Sequence, residues 1–168
     1  MRGPHNKDMA RLADLKLDYR LFMMAYPYRR LDWRPGAMLA RPMAEARVAV
    51  VTTAAFHLAD QPPFDRTVRG GDCSYREIPV DADLASLRMS HKSDAFDATG
   101  LLADANLALP LDRLRELHLA GEIGPIADRH FSFMGSITAP GRLINETAPE
   151  VAAALLKAGV DAVLLTPA

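Results

Sequence analysis

The chain has 168 residues and a mass of 18.4 kDa, enough for one ordinary domain with a sizeable core. Apolar residues make up 49% and charged residues 24%, and the net charge of −1 leaves no global field to draw the chain to nucleic acid or a membrane surface. No apolar run approaches a bilayer span, the N-terminus lacks the apolar centre of a signal peptide, and the lone Cys73 excludes an internal disulfide, a CxxC pair and a cysteine zinc cage, so the chain reads as cytoplasmic.

Residues 8–26 read as a helical segment, with Leu12, Leu15, Leu17, Leu21 and Phe22 set among charges. The stretch YPYRRLDWRPGAMLARPM carries three prolines and a glycine and reads as an irregular arm, so residues 1–39 stand apart from a domain over 40–168. Within a strand placed at 47–53, Val48 to Thr53 are β-branched or apolar throughout, as a strand covered on both faces should be. YREIPV predicts a short strand, LASLRMSH a further one, and SDAFDATGLLADANLALP reads mostly as loop. LDRLRELHLAGEIG is a helix that Asp112 can cap and Gly121 stops. ETAPEVAAALLKAG is the strongest helix, 148–158, with Thr147 as its expected N-cap and Pro149 near its first position. Gly159 stops it, and residues 161–166 follow as a buried strand expected to run parallel to 47–53. The alternation predicts a three-layer α/β sandwich, Rossmann-like, with a mostly parallel sheet.

Three polar clusters fall outside the apolar periodicity: Thr52, Thr53 and His57 after the first strand; Asp72, Cys73, Ser74, Arg76 and Glu77 around a tight turn; and Ser90, His91, Asp94, Asp97, Asp104 and Asn106 along a long loop. Open α/β sheets bind ligands beyond the carboxyl ends of their strands, so these loops should converge near Thr166. The aspartates lack the spacing and closing glutamate of an EF-hand, and no metal site is expected. Asp72 and Ser74 can equally close a turn through bonds to the backbone. Asp72 beside Cys73 should blunt that thiol, with Arg76 offsetting it. No G-x-S-x-G, P-loop or G-x-G-x-x-G is present. Residue chemistry alone stops at a polar-lined α/β site.

Taken in order, ARVAVVTTAAFHLADQPPFD, GDCSYREIPVDADLASLRMSH, DANLALPLDRLRELHLAGEIGPIADRHFSFMG and APEVAAALLKAGVDAVLLTPA resemble one family. It is the selenoprotein B subunits of glycine, sarcosine and betaine reductases, with the related selenocysteine subunit of D-proline reductase. The resemblance implies an oxidoreductase that reductively cleaves a carbon–nitrogen bond α to a carboxylate, using a dithiol/disulfide couple. It implies a selenocysteine or cysteine nucleophile immediately after a strand matching DAVLLTP, and a pyruvoyl group on a partner subunit. On that reading residues 40–168 are the N-terminal portion of a longer family domain, the catalytic residue is expected just after Ala168, and residues 1–168 hold no such nucleophile. The selenocysteine codon otherwise reads as stop. His57, Asp72, Arg76, Ser90, His91, Asp104 and Asn106 stand at positions matching polar family residues and form the expected pocket for a small amino-acid-like substrate. Arg76 is the expected partner of its carboxylate, and His57 or His91 of its leaving amine. One departure is TTAAFH, where relatives commonly carry glycine before the histidine and this chain has Ala55 and Phe56. Two further classes are carried beside this one: a non-catalytic module binding a small acid or a partner subunit, and a thiol oxidoreductase relying on Cys73.

Overall fold

The structure, a computed structural model, describes Ala13 and residues 16–26, 36–93 and 98–168. Its helices and strands in chain order are α1 (Leu17–Ala25), β1 (Val48–Thr52), β2 (Phe56–His57), β3 (Tyr75–Pro79), β4 (Arg88–Met89), α2 (Thr99–Ala103), α3 (Leu111–Leu119), β5 (Arg129–Phe133), α4 (Ala148–Lys157) and β6 (Ala162–Thr166). The chain divides into two units, Met1–Ala37 and Met38–Ala168. In the first, α1 has no buried residue. Much of the expected 8–26 helix and of the irregular arm lies outside the described residues, as do Asp94 and Asp97.

In the second unit β3, β5, β1 and β6 form one sheet in that order. β1 runs parallel to β5 and to β6, pairing Val48 with Ala162 through to Thr52 with Thr166. β3 runs antiparallel to β5, so the sheet is mostly parallel with one reversed edge. Side chains alternate across each strand, and the two faces take different cover. Ala49 of β1 with Phe131 and Phe133 of β5 packs against Val151 and Leu155 of α4. Val48 and Val50 pack on the other face against Leu109, Leu111 and Leu114 around the start of α3. Burying side chains of this size contributes about 1.5–3 kcal/mol each. The result is the three-layer α/β arrangement that the alternation of elements implies.

Four local details differ from the sequence reading. The apolar run of β6 does form a parallel strand, but at the sheet edge: Val163, Leu164 and Leu165 are exposed, not buried. Thr147 does not cap α4. Its backbone is already helical, a wide turn over Leu143–Thr147 leads into the helix, and its hydroxyl donates to the Cys73 carbonyl at 2.7 Å. Asn106 takes the capping role at α3, its Oδ1 accepting the Asp112 N–H at 3.0 Å. The stretch read as loop before it contains α2 and a short helical turn over Ala105–Leu107. The expected stops hold: Gly121 and Gly159 adopt φ of 72° and 68°, the left-handed conformation that ends helices.

Candidate functional site

The carboxyl ends of β1 and β6 are tied together. The Ala168 N–H donates to Thr53 Oγ1 at 2.9 Å, and the Thr53 hydroxyl reaches the Ala168 carbonyl at 3.4 Å. The Thr52 hydroxyl donates to the Thr166 carbonyl at 3.2 Å, and the Thr166 hydroxyl to the Ala108 carbonyl at 2.6 Å. That last bond brings the loop before α3 over the end of β6. Register places Thr52, Thr166 and Ser132 side by side in one row across three strands.

His91 stands at this junction. Its ring is buried, and Nε2 lies 2.6 Å from where a side chain on Gly135 would begin, a point 3.1 Å from the Ala168 carbonyl and 3.2 Å from that of Thr53. The Ser93 N–H donates to His91 Nδ1 at 3.2 Å. An accepting Nδ1 puts the proton of the neutral ring on Nε2, so His91 presents an N–H donor at the strand ends. Burial, joined by the positive charge of Arg66, lowers its pKa and keeps it neutral.

His57 is held the opposite way round. Nδ1 faces the Leu58 carbonyl at 2.9 Å and must donate, which leaves Nε2 to accept the Ser90 hydroxyl at 2.9 Å. Short pairing of β2 with β4 sets this contact, and the Ser90 N–H donates to the Ala55 carbonyl at 3.1 Å. Ala55 carries φ of 56°, a left-handed conformation that favours glycine, at the segment where the resemblance implies glycine. The structure therefore brings His57 and Ser90 into contact, with His91 next in chain.

Asp72 and Arg76 form a second group. Asp72 accepts the N–H of Asp65 at 2.9 Å and of Ser74 at 2.8 Å, closing its turn. Burial opposes ionisation of that carboxyl, but bonds from Ser74 and Asp65 and the charge of Arg76 outweigh it and lower its pKa. Arg76 Nε donates to the Pro62 carbonyl at 2.7 Å, one terminal nitrogen to Pro63 at 3.0 Å, and the other to Ser74 Oγ and the Tyr75 carbonyl. Its guanidinium stacks 4.3 Å over Phe64, which packs with Ala55 and Met134. Arg76 thus braces residues 62–64 against the loop bearing His57.

Asp104 and Asn106 form a third. Asp104 accepts from the Asn106 N–H at 2.9 Å and its side-chain amide at 3.0 Å; that amide also donates to Asp112 at 2.9 Å. Asn106, Asp112 and Arg115 edge a cavity of about 550 Å³ whose apolar wall includes Phe56, Leu84, Leu87 and Leu101. Cys73 is buried, its sulfur within reach of the Gly71 and Ala139 carbonyls at 3.9 and 4.0 Å. Among the described residues no group of three or more His, Cys, Asp or Glu side chains is arranged to hold a metal, and no helix is long and apolar enough to cross a membrane.

Sequence reasoning missed Gly135 and His130. His130 is fully buried on β5, and its Nδ1 accepts the Val50 N–H at 3.0 Å in place of a strand carbonyl. Only Gly135 had a legible signal: a glycine directly after an apolar strand marks close approach of another group.

These features define an open α/β sheet with a polar site at its strand ends, the class in which ligands bind beyond the strand termini. The glycine/sarcosine/betaine reductase selenoprotein B family matches residues 9–168, and the chain belongs to that family. It is 34% identical over 134 residues to the D-proline reductase subunit gamma of Acetoanaerobium sticklandii, covering 80% of this chain and 52% of that one. It is 27% identical over 151 residues to the glycine reductase complex component B subunit gamma of Symbiobacterium thermophilum, covering 90% of this chain and 35% of the other. To the sarcosine reductase complex component B subunit beta of Peptoclostridium acidaminophilum it is 27% identical over 153 residues, 90% of this chain and 34% of that one. The chain thus spans about half the length of the first of these relatives and about a third of the others. No solved structure matches it.

Proposed function

We propose that this chain forms part of a reductase-complex subunit that cleaves a carbon–nitrogen bond α to a carboxylate in a small amino-acid-like substrate. The family match supports the class, and the observation that carries the site is the His91 Nε2–H donor at the joined ends of β1 and β6. In this family's chemistry, as the resemblance implies it, a selenolate or thiolate beyond the last strand supplies the electron pair, and a pyruvoyl group on a partner subunit activates the substrate. A neutral N–H donor with the charge of Arg66 nearby suits an anionic selenium or sulfur at that position.

The chain's own residues then divide the remaining work. His91 Nε2–H lies at the strand ends and can offer a hydrogen bond, without giving up its proton, to an anionic group placed there. Ser90, its proton committed to His57, turns oxygen lone pairs toward an ammonium group. Asp104 and Asn106 order the rim of the neighbouring cavity, and Asp72 and Arg76 act through the loop they brace. Partner subunits of the complex complete the site.

Adding glycine, sarcosine, betaine and D-proline in turn to isotope-labelled chain should shift the His91 ring and Thr53 amide resonances for at least one of the four. The Thr53 amide shift should vanish in a folded His91→Gln variant. No response to any of them overturns the site. With a dithiol donor, residues 1–168 alone should show no turnover, because the one thiol is enclosed. Turnover abolished by Cys73→Ser would replace this reading with thiol chemistry on Cys73.

A further inference from the structure

Gly135 has no conformational need to be glycine, since its φ lies outside the left-handed region. What the position requires is empty space. A Cβ there would stand 2.6 Å from His91 Nε2, closer than side-chain carbons come to nitrogen, with the Ala168 and Thr53 carbonyls at 3.1 and 3.2 Å. Both backbones are pinned: the Gly135 N–H donates to the Thr53 carbonyl at 2.8 Å, and Ala168 is tied to the Thr53 hydroxyl. The imidazole, held at Nδ1 by the Ser93 N–H, is the one side chain among these three neighbours.

We propose that Gly135 is a positioning residue for His91: the space left by its missing side chain lets the Nε2–H donor stand where β1 and β6 end. This deepens the reading of His91 as the donor and rests on it for its functional meaning, although the positioning itself is a statement about geometry. A side chain at 135 would displace the ring from the position it holds now. The displaced ring gains water, and relief of burial, the largest cause of its lowered pKa, outweighs the opposing positive charges of Arg66 and of Lys92, whose ammonium is held by the Val68 carbonyl.

A double-mutant cycle tests this on the full chain. Gly135→Ala should reduce the folding equilibrium constant by about tenfold or more, as overpacking does. In a His91→Ala background the same change should cost less than about threefold, because the clashing ring is gone. An equal cost in both backgrounds would mean that the clash lies with backbone and would overturn the proposal, whether or not the single variant folds well enough for further study. Where Gly135→Ala does fold, the His91 titration midpoint followed by ring-nitrogen resonances should rise toward the ordinary histidine value. An unchanged midpoint overturns the proposal too. Coupling in the cycle combined with no response of His91 to any of the four amino acids would leave the positioning standing and remove the donor role.

Discussion

His57 and His91 hold their protons on opposite nitrogens. His57 donates from Nδ1 to the Leu58 carbonyl and accepts Ser90 at Nε2, whereas His91 accepts the Ser93 amide at Nδ1 and carries its proton on Nε2. Two residues of one type, both buried and joined through the Ser90–His91 peptide, thereby differ at Nε2: in His57 it accepts a hydrogen bond and in His91 it carries the N–H.

Thr53 is the link between β1 and the end of β6. Thr53→Val keeps the shape and removes the hydroxyl, leaving the Ala168 N–H without its acceptor. Stability should fall by about 0.5–1.5 kcal/mol, the net worth of such a bond. Amide exchange at Ala168 should accelerate while that of Val50, inside β1, changes only with global stability. Equal protection at Ala168 in both proteins would show that the hydroxyl does not hold the end of β6.

His130 makes the fold acid-sensitive. Burial, with Arg115 adding to it, lowers its pKa to about 4, against about 6.5 in the unfolded chain. Between those values the unfolded state binds more protons than the native one, so stability rises with pH across the window and is lost as pH falls from about 6.5 toward 4. The loss approaches about 3 kcal/mol at the lower end. Buried His91 adds in the same direction, whereas Asp65, Asp72 and Asp112, all with lowered pKa, lose their contribution only as pH falls below about 4. Denaturant titrations at pH 4–8 should therefore show a shallower slope for His130→Gln than for the parent. Identical slopes would remove His130 as the cause.

Two glycines should respond to alanine with opposite signs. A Cβ at Gly124 would run into the backbone of Glu45 and Ala46, with the Ala46 carbonyl at 2.5 Å, so Gly124→Ala should cost about 1–3 kcal/mol. Gly141 has nothing within 4 Å, an ordinary φ and a helical neighbourhood, and Gly141→Ala should stabilise by about 0.5–1 kcal/mol. Thermal melts of the two variants on either side of the parent would bear this out, and a lower melt for Gly141→Ala would contradict it.

The contrast between β6 and β2 shows what a sequence can carry. Five consecutive apolar or β-branched residues identify β1 and β6 as strands, and α4 is written in Pro149, its apolar spacing and Gly159. None of that says which strand lies at an edge, because an edge is defined by what does not pair with it. β2 and β4 are two residues each, too short for any period, and their pairing depends on chain more than 30 residues away. At the site, His57, Ser90 and His91 were visible as polar residues next to strands, but their tautomers depend on Leu58 and Ser93 carrying backbone groups to the rings. Arg76 was legible as a cation and not as a brace, since its partners Pro62 and Pro63 are backbone carbonyls that any sequence would supply.

The edge at β6 carries the last prediction. Val163 and Leu165 point to one face and Leu164 to the other, and they are 40%, 69% and 41% exposed. Apolar side chains on both faces of a strand whose outer edge pairs with no other strand among the described residues are an unusual surface, because natural edges are normally blunted by charge or proline. Fully burying such side chains from water is worth about 1.5–3 kcal/mol each, and covering surfaces that are only partly exposed gains a fraction of that, which favours association. The purified chain should therefore self-associate in a concentration-dependent way at neutral pH. Leu165→Lys places a charge at the most exposed of the three positions and should shift sedimentation toward monomer, while a lysine at exposed Leu119, on a helix end far from any strand edge in sequence, should not. The melt of Leu165→Lys should stay close to that of the parent at low protein concentration, since the side chain removed was not buried. A parent chain that sediments as a monomer at high concentration would show that this edge, despite its composition, does not drive association.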